Sequence, residues 1–194
     1  MRSILVSIKP QYVADILNHR KTIEIRKSVP KCELPVTVYI YCTKGDSLHR
    51  NKAGWWFVHD HPTTFITQDE STTIREQKPF NGKVVGKFIL RFVEKIYSYG
   101  DGELDTELGS SLGELSYESC VPEKDLLSYV GDGAFYWAIS ALEIFDEPKE
   151  LSEFKYEKKK VRLTEKYHWK TERLGLVPVK KAPRSWQFIE EEKE

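Results

Sequence analysis

The sequence predicts an α+β protein, a small curved sheet or closed barrel of about six strands with a few flanking helices. Three observations carry this expectation. Stretches that alternate with a period of two outnumber those with helical spacing. Those stretches are rich in β-branched and aromatic residues, and aromatics make up 12% of the chain. The helical stretches are too few to cover both faces of a parallel doubly wound sheet. With 194 residues, 40% apolar and 31% charged, the chain has material for one domain spanning 1–194 and a sizeable core.

The elements follow in order. "ILVSIK" (4–9) is apolar and β-branched, hence a strand. Pro10 suits the first turn of a helix, where its missing N–H is no loss. Tyr12 or Val13, Ile16 and Leu17 then fall on one stripe. "KTIEIRK" (21–27) returns to a period of two, and "VTVYIYCT" (36–43) is another strand. Residues 44–82 are polar and turn-rich around the aromatic island "WWF" (55–57), a loop excursion with one short element. "KVVGKFILRFVEKIY" (83–97) is a long strand with Phe88, Leu90 and Phe92 in one phase and Gly86 marking a bulge or bend.

Residues 98–121, acidic and rich in Gly and Ser, read as loop, the first part of a second excursion over 98–133. Pro122 and Gly131 bracket a short helix. "AFYWAISALEIF" (134–145) favours a strand, "ELSEF" (150–154) a turn of helix, and "SWQFIE" (185–190) a closing strand after a basic irregular segment. The tail "EEEKE" frays.

Charge gives no global case for nucleic acid, since 30 basic residues balance 30 acidic ones. Its distribution is uneven. Residues 155–184 hold eleven basic side chains against three acidic, whereas 101–125 hold eight acidic and one lysine. Three cysteines, Cys32, Cys42 and Cys120, form neither a disulfide framework nor a zinc signature, which points to a reduced, cytoplasmic setting. No run is long enough for a membrane span or a signal-peptide core. "HDH" (59–61) lacks a third metal ligand, and "GDGELDTELG" (100–109) lacks calcium-loop spacing. No metal and no cofactor are expected.

The second strand poses the functional question. Ile23 and Ile25 face one way, and Thr22, Glu24 and Arg26 the other. Lys21 is in phase with the isoleucines, yet a lysine aimed into a core is costly without a partner. It therefore belongs to the turn before the strand, where its ammonium can reach a cleft. The bland alternative is a surface ion-pair strand.

Lys21-Thr-Ile-Glu24-Ile-Arg26 resembles the Gly-x-Lys-x-x-Glu-x-Arg signature of the ASCH domain family in the PUA-like superfamily. "SIKPQYVADIL", "FYWAIS", "DEPKELSEF" and "APRSWQFIE" resemble further segments of its prophage-type and small bacterial members. The resemblance spans most of the chain but leaves 44–82 and 98–133 unmatched. It departs at the signature glycine, where this chain has His19. A glycine there would supply a left-handed helix end, a conformation histidine adopts only at a cost.

The resemblance implies a β-barrel flanked by helices, with a cleft beside the signature strand that takes RNA or a nucleotide. One branch of the family hydrolyses N4-acetylcytidine with a lysine and a threonine of that strand; another acts as a ribonuclease. Carried over by position, the lysine is Lys21, and the threonine position holds Glu24, with Thr22 out of reach. The first branch also uses a separate glutamate, for which Glu94, at the end of a strand, is the candidate here. If the protein is an enzyme, Lys21 and Glu24 are its catalytic candidates.

Physical reasoning favours binding. Lys21 and Arg26 suit phosphate or a base carbonyl, and Glu24 suits an exocyclic amine or the orientation of Arg26. Lys9 and the helix start at Pro10 form an anion site. Trp137 and Trp186 are candidates for base stacking, with Ser140 and Arg184 as lesser ligand-binding residues. The leading expectation is thus an RNA- or nucleotide-binding module, single-stranded RNA foremost, with a regulatory role in view. The alternatives are an enzyme on RNA or a modified nucleoside, and a protein-interaction module working through 55–57.

Overall fold

The computed structural model describes residues 2–51, 53–59, 80–99, 102–163 and 169–190. Its elements are β1 (Arg2–Ile8), α1 (Pro10–Leu17), β2 (Ile23–Arg26), β3 (Val36–Cys42), β4 (Ser47–Arg50), β5 (Trp56–His59), β6 (Val84–Ser98) and β7 (Leu104–Thr106). They continue with α2 (Leu112–Ser119), α3 (Glu123–Val130), β8 (Ala134–Lys149), a 3₁₀ turn (Leu151–Glu153), β9 (Lys155–Leu163), β10 (Trp169–Pro178) and β11 (Trp186–Glu190).

The class is α+β, as the period-two stretches predict. One sheet runs in the order β10-β9-β11-β1-β3-β6-β8-β2, with β7 on the end of β6, and β4 and β5 form a separate hairpin. β1 and β3 are parallel, joined through α1 and β2; the other pairs are antiparallel. Among the described residues no pairing links β10 to β2, so the strand path stays open and no closed barrel is found.

Three apolar clusters hold the sheet. Ile4, Val6 and Ile8 of β1 meet Val38 and Ile40 of β3, Phe88 and Leu90 of β6, and Val13, Ile16 and Leu17 of α1. Ile23 and Ile25 pack with Leu115 of α2 and Leu126 and Val130 of α3. Leu5, Tyr41, Val84, Phe154, Val179 and Ile189 form the third. Each fully buried aliphatic side chain contributes about 1.5–3 kcal/mol.

Gly86 does mark an irregularity. The β6–β8 register shifts between Val84 and Gly86, and a Cβ at Gly86 would stand 2.6 Å from the Glu143 carbonyl oxygen. Two further shifts follow, and the one between Leu90 and Val93 turns Phe92 out of its expected phase, leaving it 40% exposed.

The structure has more strands than the sequence predicts. β4 and β5 arise inside the 44–82 excursion, whose residues 60–79 lie outside the described residues. The "HDH" motif lies largely there too. β7 and α2 occupy the stretch read as loop. Ser111 and Glu114 bracket the start of α2 in a reciprocal capping box, a signal that Gly113 and the serines around it obscured. The segment read as basic and irregular is the β9–β10 hairpin, which lacks apolar alternation because most of it stands in water. Among the described residues no helix is long and apolar enough to cross a membrane.

Candidate functional site

The turn from α1 into β2 sets the geometry. Asn18 ends the helix, and His19 adopts the left-handed conformation with φ 58°. The Arg20 and Lys21 amides then both donate to the Asp15 carbonyl, at 2.8 and 3.1 Å. The turn that a signature glycine would make is therefore formed with histidine in its place. It holds Lys21 off the strand, as its phase demands.

Lys21 is nevertheless buried. Its Nζ donates to the Ser119 carbonyl at the end of α2 (2.6 Å) and lies 3.2 Å from Glu24 Oε2. Glu24 Oε1 is 2.9 Å from Arg26 Nη2, which also donates to the Ser7 carbonyl at 2.7 Å. The side chains of Lys21, Glu24 and Arg26 are only 2%, 9% and 10% exposed. A surface ion-pair strand is thereby excluded: β2 buries both faces, with Ile23 and Ile25 on one and a three-membered charge network on the other. Arg26 Nη1 reaches Ser185 Oγ at 3.3 Å, and Arg26 Nε is buried without a partner among the described residues.

The network lines a cleft of about 1090 Å³, a size suited to a small ligand. Lys9 and Lys44 contribute from the α1 side, Lys21 and Arg26 from the floor, and Lys180, Lys181 and Arg184 from the segment after β10. Glu24 and Asp125 are the acidic side chains in the lining. The N-terminus of α1, capped by no side chain, opens on the cleft through Lys9, Gln11 and Tyr12. Field lines from such one-signed walls focus on an anion.

Three tyrosines, Tyr12, Tyr41 and Tyr129, complete the lining. Burial pushes each hydroxyl above the ordinary tyrosine value, so each remains a protonated donor at neutral pH. The Tyr12 ring centroid lies 5.2 Å from Lys21 Nζ, a cation–π distance.

Lys9, Lys21, Glu24, Arg26 and Arg184 thus come together in one cleft. The remaining sequence candidates do not. Trp137 is fully buried in the main core, its ring 5.9 Å from that of Trp186 in an edge-on arrangement, so it has no face for a base. Trp186 packs on Phe188 and donates from Nε1 to Ser28 Oγ at 3.0 Å, outside the cleft lining. Ser140 Oγ donates to the Ile89 carbonyl within the sheet. Thr22 is exposed. Glu94 is buried on the α2–α3 side, where it accepts from the Tyr136 hydroxyl at 2.6 Å.

Tyr12, Tyr129, Asp125 and the Ser119 carbonyl escaped sequence reasoning. Tyr12 looked like part of a core stripe, and the other three sit in the excursion that had no placement. Helical spacing from Leu126 and Val130 could have set Tyr129 apart, since it lies between two buried positions. Among the described residues no three His, Cys, Asp or Glu side chains gather to hold a metal ion.

No protein-family model and no curated protein matches the chain. Among solved structures it is similar to the crystal structure of ASCH from Zymomonas mobilis, with 14% identity over 77% of this chain and 73% of that chain, at a TM-score of 0.45. Two variants of that protein, a tyrosine-to-phenylalanine and a serine-to-alanine mutant, give 13% and 14% identity over 77% of this chain. They are covered over 76% and 74% of their lengths, each at a TM-score of 0.43. The site rests on this chain's own geometry.

Proposed function

We propose that the chain is a single ASCH-type, PUA-like domain that binds RNA or a nucleotide in the cleft beside β2, in a reduced cytoplasmic setting. The observation that carries this is the collection of seven basic side chains and two acidic ones around one cleft, in a protein of zero net charge. Phosphate would lie between the α1 N-terminus, Lys9 and the lysines of the opposite rim. Arg26 Nε, buried and without a partner, is a donor suited to a phosphate oxygen or a base carbonyl. Tyr12 and Tyr129 take over the stacking role first assigned to tryptophan, and stacking contributes about 1–3 kcal/mol per base.

The charge network favours gripping over bond cleavage. Lys21 Nζ has two of its three donors engaged, by the Ser119 carbonyl and Glu24. A lysine nucleophile needs a free lone pair, and Glu24, held by both cations, is not positioned as a separate base. The position that carries threonine in the amidohydrolase branch is thus part of an ion network here.

Fluorescence anisotropy with short single-stranded RNA, at several salt concentrations, tests the reading. Binding should weaken with salt and fall at least tenfold in Arg26→Ala and Lys9→Ala. Absence of binding, or binding unchanged in both variants, would refute it. Product analysis after incubation with N4-acetylcytidine and with RNA tests the enzymatic alternative, which turnover by the wild type would favour.

A further inference from the structure

We propose that the β9–β10 hairpin is an arm that grips the phosphates of a single-stranded RNA as the strand leaves the cleft. The inference rests on reading the cleft as a nucleotide site and extends it from one nucleotide to a polymer.

The hairpin is built unlike the rest of the sheet. Every described side chain from Lys158 to Val161 and from Thr171 to Leu176 is exposed, so both faces stand in water. Val161 and Leu176 are 58% and 51% exposed, with no core beneath them. A two-stranded ribbon on its own is at best marginally stable, so burial does not explain its presence. It joins β11 through the single pair Lys155–Glu190.

Charge supplies the explanation. β9 holds five Lys and Arg residues and β10 two, against one glutamate in each, in a chain whose net charge is zero. Lys159 and Arg173 share Glu157, at 3.2 and 3.3 Å. Lys158 and Lys160 have no acidic partner among the described residues. The apolar side chains are isolated among these charges, which disfavours a protein partner, since interface cores exclude charge.

The arm is also continuous with the cleft. Its base is the Pro178–Lys155 pair, fixed by the Val179 amide donating to the Phe154 carbonyl at 2.7 Å. Lys180 and Lys181, two and three residues further on, stand on the cleft rim. A strand with one nucleotide in the cleft would meet the arm as it exits on that side. A duplex would first have to unpair to place a base there, which selects a single strand over a duplex.

The test compares wild type, Lys158→Gln/Lys160→Gln and Arg26→Ala against two probes. One is a labelled single-stranded RNA of about twelve nucleotides; the other is a mixture of the four ribonucleoside 5′-monophosphates. Removing two phosphate contacts should weaken RNA binding by about an order of magnitude at about 0.1 M salt and reduce the slope of log K against log salt by about 1.4. Mononucleotide binding should be unchanged. RNA affinity and slope equal to wild type in the arm variant overturn the inference, while loss of mononucleotide binding in Arg26→Ala still upholds the cleft. Equal loss of both probes in the arm variant, or a wild-type dimer that the arm variant abolishes, also overturns it. Wild-type failure on the mononucleotides with arm-dependent RNA binding removes the cleft reading and, with it, the inference that a strand runs from the cleft to the arm.

Discussion

Replacing Glu24 with glutamine isolates the feature on which the site depends. Glu24 is the counter-charge for two buried cations, Lys21 at 3.2 Å and Arg26 at 2.9 Å. At an effective dielectric of about 20, each attraction is about 5 kcal/mol, and desolvation of three charges offsets most of that sum. The substitution reads a different quantity, the penalty for leaving Lys21 and Arg26 buried without a carboxylate. Breaking a buried pair in this way costs about 3–5 kcal/mol. Glutamine keeps one acceptor oxygen, which places the expected loss near the lower end, about 3 kcal/mol. That is a large share of a total stability of about 5–15 kcal/mol. Urea unfolding followed by tryptophan fluorescence should show a midpoint lower by about 1.5 M, for a denaturant slope of about 2 kcal/mol/M. Adding Lys21→Met should recover part of the loss, because it removes one of the stranded charges. A midpoint drop under about 0.3 M would refute the argument, since it would mean that water reaches the network and the three charges are not held as a unit.

The other predictions concern single positions. His19→Gly relieves a left-handed residue at about 1–2 kcal/mol, partly offset by the greater freedom of glycine in the unfolded chain, so thermal unfolding should rise by about 1–3 °C. Gly86→Ala sets a Cβ 2.6 Å from the Glu143 carbonyl and should destabilise by about 1–3 kcal/mol in the same urea assay. Ser111→Ala removes the acceptor for the Glu114 amide and should cost about 1 kcal/mol, with faster amide exchange confined to α2. Burial pushes the Cys42 thiol up to about 12 from an ordinary value of 9.0. Its contribution to stability is therefore complete below pH 9 and lost as pH rises toward 12. Iodoacetamide at pH 8 should label Cys42 only after unfolding, and the pH dependence above 9 should flatten in Cys42→Ala.

The sequence alone determined the local elements with strong internal signals. Pro10 and the stripe through Val13, Ile16 and Leu17 specified α1, and Pro122 and Gly131 bracketed α3. Alternation or continuous β-branched and aromatic content specified β1, β2, β3, β6, β8 and β11. These readings succeed because helix caps and strand periodicity are properties of neighbours in the chain. The same logic singled out Lys21, which is in phase with Ile23 and Ile25 although a core does not take an unpaired lysine, and the resemblance to the Gly-x-Lys signature marked position 19 as a left-handed one, where His19 has φ 58°. Both judgements concern backbone geometry over a few residues, and the structure agrees with them.

Tertiary structure decided what each surface became. Trp137 and Tyr12 are both aromatic residues in regular elements, yet one is sealed in the core and the other lines the cleft. The difference is made by which elements pack across from them, and no local pattern records that. The charged face of β2 became a buried network because the end of α2 delivers the Ser119 carbonyl to Lys21 across 98 residues of chain, and β1 delivers the Ser7 carbonyl to Arg26. The β9–β10 hairpin was hidden for the opposite reason. Alternation appears in a sequence only when one face of a strand is buried, and that ribbon has water on both.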